Sequence, residues 1–216
     1  MARPADRLRA TAAEAALRDA LAAWLIWLET ERRASAHTIE AYDRDLGRFL
    51  AFLADHLGGP VDLAALNRLG TVDFRSFLAH CRKAGLAATS TARTMSSVRS
   101  FFRWLQRYHE IANAAIRAVR SPKLPRSVPK PLTADSARRS VETIGELRDE
   151  AWVGRRDTAV LLLLYGCGLR IAEALALNGG DAPDGDSMVI TGKGRKQRMV
   201  PVLPAVREAI AAYRAV

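Results

Sequence analysis

The chain has 216 residues, of which 49% are hydrophobic and 26% charged, and this ordinary globular composition excludes a disordered or collagen-like chain. Basic residues outnumber acidic ones by 33 to 23, and 28 of the 33 are arginine. Because the planar guanidinium group can bind two phosphate oxygens at once, this excess points to an anionic partner. Composition alone leaves DNA, RNA and a membrane surface open as that partner.

No stretch of the sequence reaches the 18 uncharged apolar residues that a membrane span needs, and the first 30 residues lack a signal-peptide pattern. We therefore expect a cytoplasmic protein without a membrane partner. The two cysteines, Cys81 and Cys167, fit neither a disulfide framework nor a metal-ligand spacing. We expect them to be buried thiols and expect no bound metal.

Four helices are predicted before residue 112 from apolar residues that recur with helical periodicity. Their predicted ranges are 13–33, 36–56, 72–84 and 89–110. Ser35 is expected to be the N-cap of the second helix and Thr71 that of the third, while Gly58 and Gly85 mark the ends of these helices.

The fourth helix carries an apolar face and, opposite to it, a row of arginines. The apolar face consists of Met95, Val98, Phe101, Phe102, Leu105 and Tyr108. The row consists of Arg99, Arg103 and Arg107, and Arg93 joins it. A solvated surface is the simplest interpretation of such a row, but the helix offers no acidic residue for pairing. Residues 82–126 hold ten basic residues and a single acid, Glu110, which favours contact with nucleic acid.

Residues 113–132 contain four prolines and five basic residues, which predicts a stiff basic linker between two domains. Lys123 in this segment is a candidate phosphate contact. An ordinary hinge is the alternative interpretation.

A second domain is predicted from residue 133, with mainly helical structure and one β-hairpin. Thr133 or Asp135 is the expected N-cap of its first helix. The predicted helices cover 134–144, 155–165, 169–177 and 205–215, and the predicted strands cover 188–191 and 197–202. Gly192 to Lys196 would form the turn of the hairpin.

Two features of this domain could carry chemistry. Arg170 follows a Gly-Cys-Gly-Leu break at a helix start, where anions are favoured, and Glu173 lies three residues on. A structural salt bridge between the two residues is an equally good interpretation. Lys193 lies between two glycines at the tip of the hairpin, where the backbone can approach a partner closely. A solubilising lysine is the simpler interpretation there, and the motif lacks the features of an ATP-binding loop.

Taken together, YGCGLRIAEALAL (165–177) and ITGKGRKQRMVPV (190–202) resemble the catalytic domain of the tyrosine site-specific recombinases, specifically the bacterial Xer type. SAHTIEAYDRDLGRFLAFL (35–53) and SSVRSFFRWL (96–105) resemble the helical, SAM-like core-binding domain of that family, and RSPKLPRSVPKPLT (120–133) resembles its interdomain linker. The resemblance extends from about residue 16 to residue 215. It implies a core-binding DNA-binding domain over 1–112, a linker over 113–132, and the N-terminal part of an α+β catalytic domain over 133–216.

In this family a tyrosine attacks the scissile phosphate, forms a 3′-phosphotyrosyl link and frees a 5′-hydroxyl, without a metal or cofactor. The resemblance implies that Arg170 is the first catalytic arginine, Lys193 the proton donor to the leaving oxygen, and Glu173 the support of the arginine. It also implies binding to double-stranded DNA. The candidate DNA contacts are Arg93, Arg99, Arg103, Arg107, Lys123 and Lys196.

The family's His-x-x-Arg pair, its further His or Trp and its nucleophilic tyrosine have no match in these 216 residues, and Tyr213 is not preceded by such a motif. We therefore expect the 216-residue chain to bind DNA and to be inactive alone. A DNA-binding fragment or remnant without catalysis is the alternative, and the paired Arg170 and Lys193 motifs disfavour a basic RNA-binding protein. The family pattern implies a tetramer of two related recombinases on DNA, acting in chromosome-dimer resolution and cell division.

Overall fold

A computed structural model describes residues 12–123, 131–147, 149–183, 185–192 and 196–216. The chain divides into two compact units, Met1–Arg126 and Ser127–Val216.

The described part of the first unit is entirely helical apart from its loops. Its helices are α1 (Ala15–Thr30), α2 (Ala36–Leu57), α3 (Leu63–Arg68), α4 (Thr71–Lys83), α5 (Ala88–Tyr108) and α6 (Ala115–Ala118). The four predicted helices are confirmed, with ends that differ by a few residues. The prediction missed α3 and α6, because helices of six and four residues are too short to show a periodic apolar pattern.

Helix caps explain where α2 and α4 begin. The Ser35 hydroxyl accepts a hydrogen bond from the Thr38 N–H, at 3.4 Å, which confirms the predicted N-cap. The prediction for Thr71 was wrong, since Gly70 is the N-cap of α4. Asp73 closes this helix start by accepting the Gly70 N–H at 2.7 Å, so the side chain at the third helical position supplies the capping bond.

Aromatic side chains from three helices meet in the core of the first unit. Phe49 of α2 packs against Phe74, Phe77 and Phe102, with ring centroids 5.9, 5.0 and 6.4 Å away. The predicted apolar face of α5 is buried except at its end, where Tyr108 is 48% exposed. Tyr108 lies in the last turn of α5, and its ring packs on that of Trp104. Trp104, which was not predicted on the apolar face, is buried.

The segment after α5 differs from the predicted linker. Asn113 is buried and its amide donates to the carbonyl oxygens of Leu66 and Leu69, at 2.9 and 2.8 Å. Ile116 and Val119 join the hydrophobic core of the first unit. The first proline of the segment is Pro122, so nothing prevents residues 113–119 from folding onto the helices before it.

The second unit is also mainly helical and contains one β-hairpin. Its elements are α7 (Ala134–Ile144), α8 (Ala151–Gly166), α9 (Ile171–Leu175), a 3₁₀ turn (Gly179–Asp181), β1 (Ser187–Thr191), β2 (Gln197–Pro201) and α10 (Pro204–Arg214). The predicted cap Thr133 is confirmed, because its hydroxyl accepts the Ser136 N–H. Helix α8 begins four residues before the predicted position. Between antiparallel β1 and β2, Met188 pairs with Val200 and Ile190 with Arg198.

The core of the second unit is smaller than that of the first. It is built from α8, α9, the segment between them, α10 and one face of the hairpin. Its buried residues are Leu163, Cys167, Leu169, Ala174, Met188, Ile190, Val200, Val202 and Val206. Cys81 and Cys167 are both buried free thiols, as predicted, and burial raises the pKa of each. Across the described ranges, no helix has the length and apolar character that crossing a membrane requires.

Candidate functional site

Arg170 lies at the N-cap of α9 and is bound twice by Glu173. The Arg170 backbone N–H donates to Oε2 of Glu173 at 2.9 Å, and Nη1 of its side chain donates to Oε1 at 2.9 Å. The salt bridge that the sequence left open for this pair is therefore present, and a capping bond to the Arg170 backbone accompanies it. Only 7% of the Glu173 side chain is exposed, against 73% of the Arg170 side chain.

A second arginine, which the sequence did not predict, completes the cluster. Arg198 of β2 donates to both carboxylate oxygens of Glu173, at 2.9 and 2.8 Å. These bonds, together with the Arg170 backbone N–H, hold the pKa of Glu173 far below its usual range, and the same pairing raises the pKa of Arg198. Arg198 lies on the same strand face as the buried Val200. An arginine on the inward face of a strand is the sequence feature that could have predicted a buried acidic partner.

The hairpin approaches this cluster at Gly192. A Cβ atom at that position would lie 3.1 Å from Oε1 of Glu173 and 3.3 Å from Nη1 of Arg198. Glycine therefore allows the end of β1 to pass close to the paired side chains. Lys193 follows directly in the chain and lies outside the described residues. Lys196 is described, and its side chain is exposed while its carbonyl oxygen accepts the Gly192 N–H at 2.8 Å.

Within the first unit, the arginines of α5 have different environments. Arg93 donates to Oδ2 of Asp45 at 2.8 Å, and Asp45 is completely buried between α2 and α5. The hydroxyl groups of Thr94 and Ser97 also donate to this carboxylate, each at 3.0 Å. The helix itself offers no acid, as the sequence indicated, but α2 supplies one across the core.

Arg99 also has hydrogen-bond partners within the first unit. Its guanidinium donates to the Val119 carbonyl oxygen at 2.6 Å and to the Ser121 hydroxyl at 2.7 Å. Burial and the nearby charge of Arg103 lower the pKa of Arg99. The predicted row thus contains arginines in two different environments. Arg103 and Arg107 are exposed, whereas Arg93 and Arg99 each have an intramolecular partner.

Lys123 is exposed near the end of the first described range. Among the described residues, no group of three or more His, Cys, Asp and Glu side chains is placed to hold a metal ion. Tyr213 of α10 is partly exposed and lines a mostly apolar pocket of about 120 Å³, together with Leu163 and Leu177.

Two family models match the sequence. The model described as phage integrase, N-terminal SAM-like domain, matches residues 21–109, and the model described as phage integrase family matches residues 131–215. Tyrosine recombinase XerC of Brucella suis is 50% identical over 195 residues, which cover 89% of this chain and 62% of that protein. XerC of Rhodospirillum centenum is 49% identical over 198 residues, with coverages of 91% and 58%. XerC of Bradyrhizobium diazoefficiens is 42% identical over 215 residues, with coverages of 97% and 67%.

Solved structures share the fold at low identity. XerH site-specific recombinase bound to a palindromic difH substrate matches with a TM-score of 0.61 and 20% identity, covering 83% of this chain and 52% of XerH. A lambda integrase dimer bound to a COC′ core site matches with a TM-score of 0.62 and 18% identity, covering 95% and 55%.

The chain belongs to the phage integrase family of tyrosine recombinases. The three relatives described above are XerC proteins, which confirms the resemblance to the Xer type. The predicted fold class, a SAM-like helical unit joined to a unit with a small two-stranded sheet, is confirmed as well. The chain spans 62% of the first of these relatives and 58% of the second.

Proposed function

We propose that this chain takes part in site-specific DNA recombination by the family's reaction, in which a tyrosine forms a transient 3′-phosphotyrosyl link. In this proposal the residues before the linker form a core-binding DNA-binding domain. Residues 133–216 form the N-terminal part of the catalytic domain. The proposal follows from family membership and from the arrangement around Arg170.

The observation that carries the catalytic part is the contrast in exposure between Arg170 and Glu173. Glu173 is buried and fixed by two arginines, while most of the Arg170 side chain faces solvent. Nη1 of Arg170 is bonded to Glu173, and within the described residues Nε and Nη2 make no hydrogen bond. A guanidinium group that is oriented by a carboxylate at one nitrogen and has its other N–H groups exposed can donate to a non-bridging phosphate oxygen. Fixed donors of this kind stabilise the charge that develops on a pentacoordinate phosphorus.

Lys193 is the proposed proton donor to the leaving 5′-oxygen, and Glu173 the residue that supports Arg170. The position of Gly192 against the Glu173 cluster supports this assignment, because one peptide bond joins Gly192 to Lys193. Lys196 is proposed as a phosphate contact on the same hairpin.

The proposed DNA-binding residues of the first part of the chain are Arg93, Arg99, Arg103, Arg107 and Lys123. Arg103 and Arg107 have exposed side chains without an acidic partner in the described ranges, which suits them for phosphate contacts. Arg93 and Arg99 combine an internal partner with a partly exposed guanidinium group, so they would contact DNA in a fixed orientation.

DNA binding is tested by measuring affinity for duplex DNA as a function of salt concentration. If the chain neutralises about six phosphates, the slope of log K against log[salt] is expected to be near −5. Binding without salt dependence, or no binding, would contradict the proposal.

Catalysis is tested on a nicked duplex that traps the 3′-phosphotyrosyl adduct. We expect no adduct from the 216 residues, because none of them matches the nucleophilic tyrosine. In a chimera that adds the C-terminal segment of a matched XerC relative, adducts are expected and are lost on Arg170→Ala. Lys193→Ala should slow the reaction unless a 5′-thio leaving group removes the need for an acid. An adduct on Tyr213 of the unextended chain would overturn this assignment.

A DNA-binding role without catalysis is the second candidate, and a chimera that binds DNA but forms no adduct would favour it. We further propose that the protein acts in the cytoplasm, with a second, related recombinase, in a tetramer on DNA. Chromosome-dimer resolution at cell division is the corresponding biological role.

A further inference from the structure

A pocket of about 250 Å³ lies between α5 and α6 of the first unit and is lined by three arginines. Arg99 and Arg103 come from α5 and Arg117 from α6. The remaining lining residues are Phe102, Gln106, Asn113 and Ile116. None of these described residues is acidic, so the structure brings three positive charges to one concavity without an internal counter-charge.

Two of the three arginines are held in place around the pocket. Arg99 is fixed by the Val119 carbonyl oxygen and the Ser121 hydroxyl, and Arg117 donates to Oε1 of Gln106. Arg103 makes no hydrogen bond or ion pair with another described residue, and its side chain is exposed. Arg99 and Arg117 are therefore fixed at the lining of the pocket, whereas the Arg103 side chain is free to move toward a bound anion.

The apolar floor strengthens the attraction between these groups and an anion. Phe102 and Ile116 are buried beneath the pocket, and charges near a low-dielectric surface interact more strongly than charges in open water. The lowered pKa of Arg99, caused by burial and by the charge of Arg103, agrees with positive groups crowded together. Guanidinium groups around a small concavity match the geometry of a phosphate group.

We infer that this pocket holds a single backbone phosphate of duplex DNA, bound jointly by Arg99, Arg103 and Arg117. The inference rests on the proposed DNA binding and deepens it in two ways. It adds Arg117, which no sequence motif singled out. It also separates Arg103 from Arg107, which lies outside the pocket and packs over the ring of its neighbour Tyr108.

The test compares salt slopes of duplex binding for single and double variants of the full chain. Removal of one bound phosphate from the interface lowers the magnitude of the slope by about 0.9. Arg103→Gln and Arg117→Gln are each expected to lower it by about this amount, and the double variant by no more than either single change. Arg107→Gln combined with Arg117→Gln should lower it by about 1.8, because those two arginines contact different phosphates. Arg117→Lys keeps the charge and should keep the slope while weakening affinity.

Two results would overturn the shared phosphate while leaving DNA binding intact. One is a decrease of about 1.8 in the Arg103→Gln and Arg117→Gln double variant, which would mean two separate phosphates. The other is an unchanged slope in Arg117→Gln. If instead the unmodified chain shows no salt-dependent DNA binding, the proposed function itself fails, and the duplex phosphate fails with it.

A second measurement distinguishes a DNA phosphate from a free one. Thermal unfolding is recorded in inorganic phosphate and in chloride at equal ionic strength, for the unmodified chain and for Arg117→Gln. We expect no more than a small difference between the two salts. The pocket would be reassigned to free phosphate by two results together. The melting temperature would rise in phosphate for the unmodified chain but not for Arg117→Gln, and the salt slopes of the variants would not indicate a shared DNA phosphate.

Discussion

Each unit of the molecule contains a buried carboxylate that holds arginines, and the two carboxylates differ in what surrounds them. Asp45 in the first unit is bonded by two hydroxyl groups and Arg93, with Arg48 at 3.5 Å, and it joins two long helices. Among the described residues, Glu173 in the second unit is bonded only by groups of two arginines, and it joins the start of a short helix to a strand.

The difference separates packing from positioning. Around Asp45 the carboxylate satisfies buried hydroxyls inside a large aromatic core, and Arg93 completes that network. Around Glu173 the core is small and the carboxylate has no partner other than Arg170 and Arg198 among the described residues. Asp45 therefore links α2 to α5, whereas Glu173 links the start of α9 to β2 and bonds the Arg170 side chain.

The largest effect is expected from the aromatic core of the first unit. Phe102→Ala removes a buried ring that contacts Phe49 and Phe74, and we expect it to lower the free energy of unfolding of the first unit by roughly 3–5 kcal/mol. Chemical denaturation followed by tryptophan fluorescence measures this. Tyr108→Ala, at the rim of the same face, is the control and should have a much smaller effect. Equal losses of stability in the two variants would mean that the aromatic core does not dominate the stability of this unit.

The next effect tests the packing role of Asp45 directly. Asp45→Asn keeps the shape but removes the charge that Arg93, Thr94 and Ser97 bond to, and we expect a loss of about 1–3 kcal/mol. Asp55→Asn changes an exposed acid on the same helix and should stay within about 0.5 kcal/mol. Denaturation midpoints of the two variants provide the comparison. If Asp45→Asn is neutral, the network does not join the helices.

A smaller effect separates the arginines of α5. Arg99→Ala removes two hydrogen bonds to the segment after α6, and we expect it to lower stability by about 1 kcal/mol. Arg103→Ala removes no internal bond to a described residue and should stay within about 0.5 kcal/mol, while both variants weaken DNA binding. Thermal melts and binding titrations on the same samples separate the two effects. Identical melts would contradict the internal role of Arg99.

The last effect is confined to the acid range and concerns how the stability of the second unit depends on pH. The pKa of Glu173 is lower in the folded protein than its ordinary value of 4.5, so the folded state binds fewer protons than the unfolded state in acid. The stability from this group is therefore complete above pH 4.5 and is lost as the pH falls toward the folded pKa.

Calorimetric melts at several acidic pH values test this dependence. In Glu173→Gln, the part of the acid-induced loss that belongs to this carboxylate should disappear, whereas Glu208→Gln, an exposed acid on α10, should leave the pH profile unchanged. A Glu173→Gln profile that matches the unmodified chain would contradict a charged, arginine-bound Glu173.

The sequence predicted features that depend on neighbours along the chain. Periodic apolar residues located the four long helices of the first unit, and the three-residue spacing of Arg170 and Glu173 indicated their pairing. Arg198 lies 25 residues from Glu173, and Asp45 lies 48 residues from Arg93. Spacing carries no information about partners that meet only after the chain folds, so these interactions were missed. Arg117 was missed for the same reason, since its pocket forms only when α6 packs beside α5.

The packing of residues 113–121 onto the first unit decides where the chain could be divided. A cut before Asn113 would remove the amide that bonds to the Leu66 and Leu69 carbonyl oxygens, and would take Ile116 and Val119 out of the core. It would also strip Arg99 of both its acceptors. A cut after Ser121 keeps all of these interactions. An independently folding first half therefore extends through residue 121 rather than ending at residue 112, and a protease that nicks the intact protein should spare this stretch.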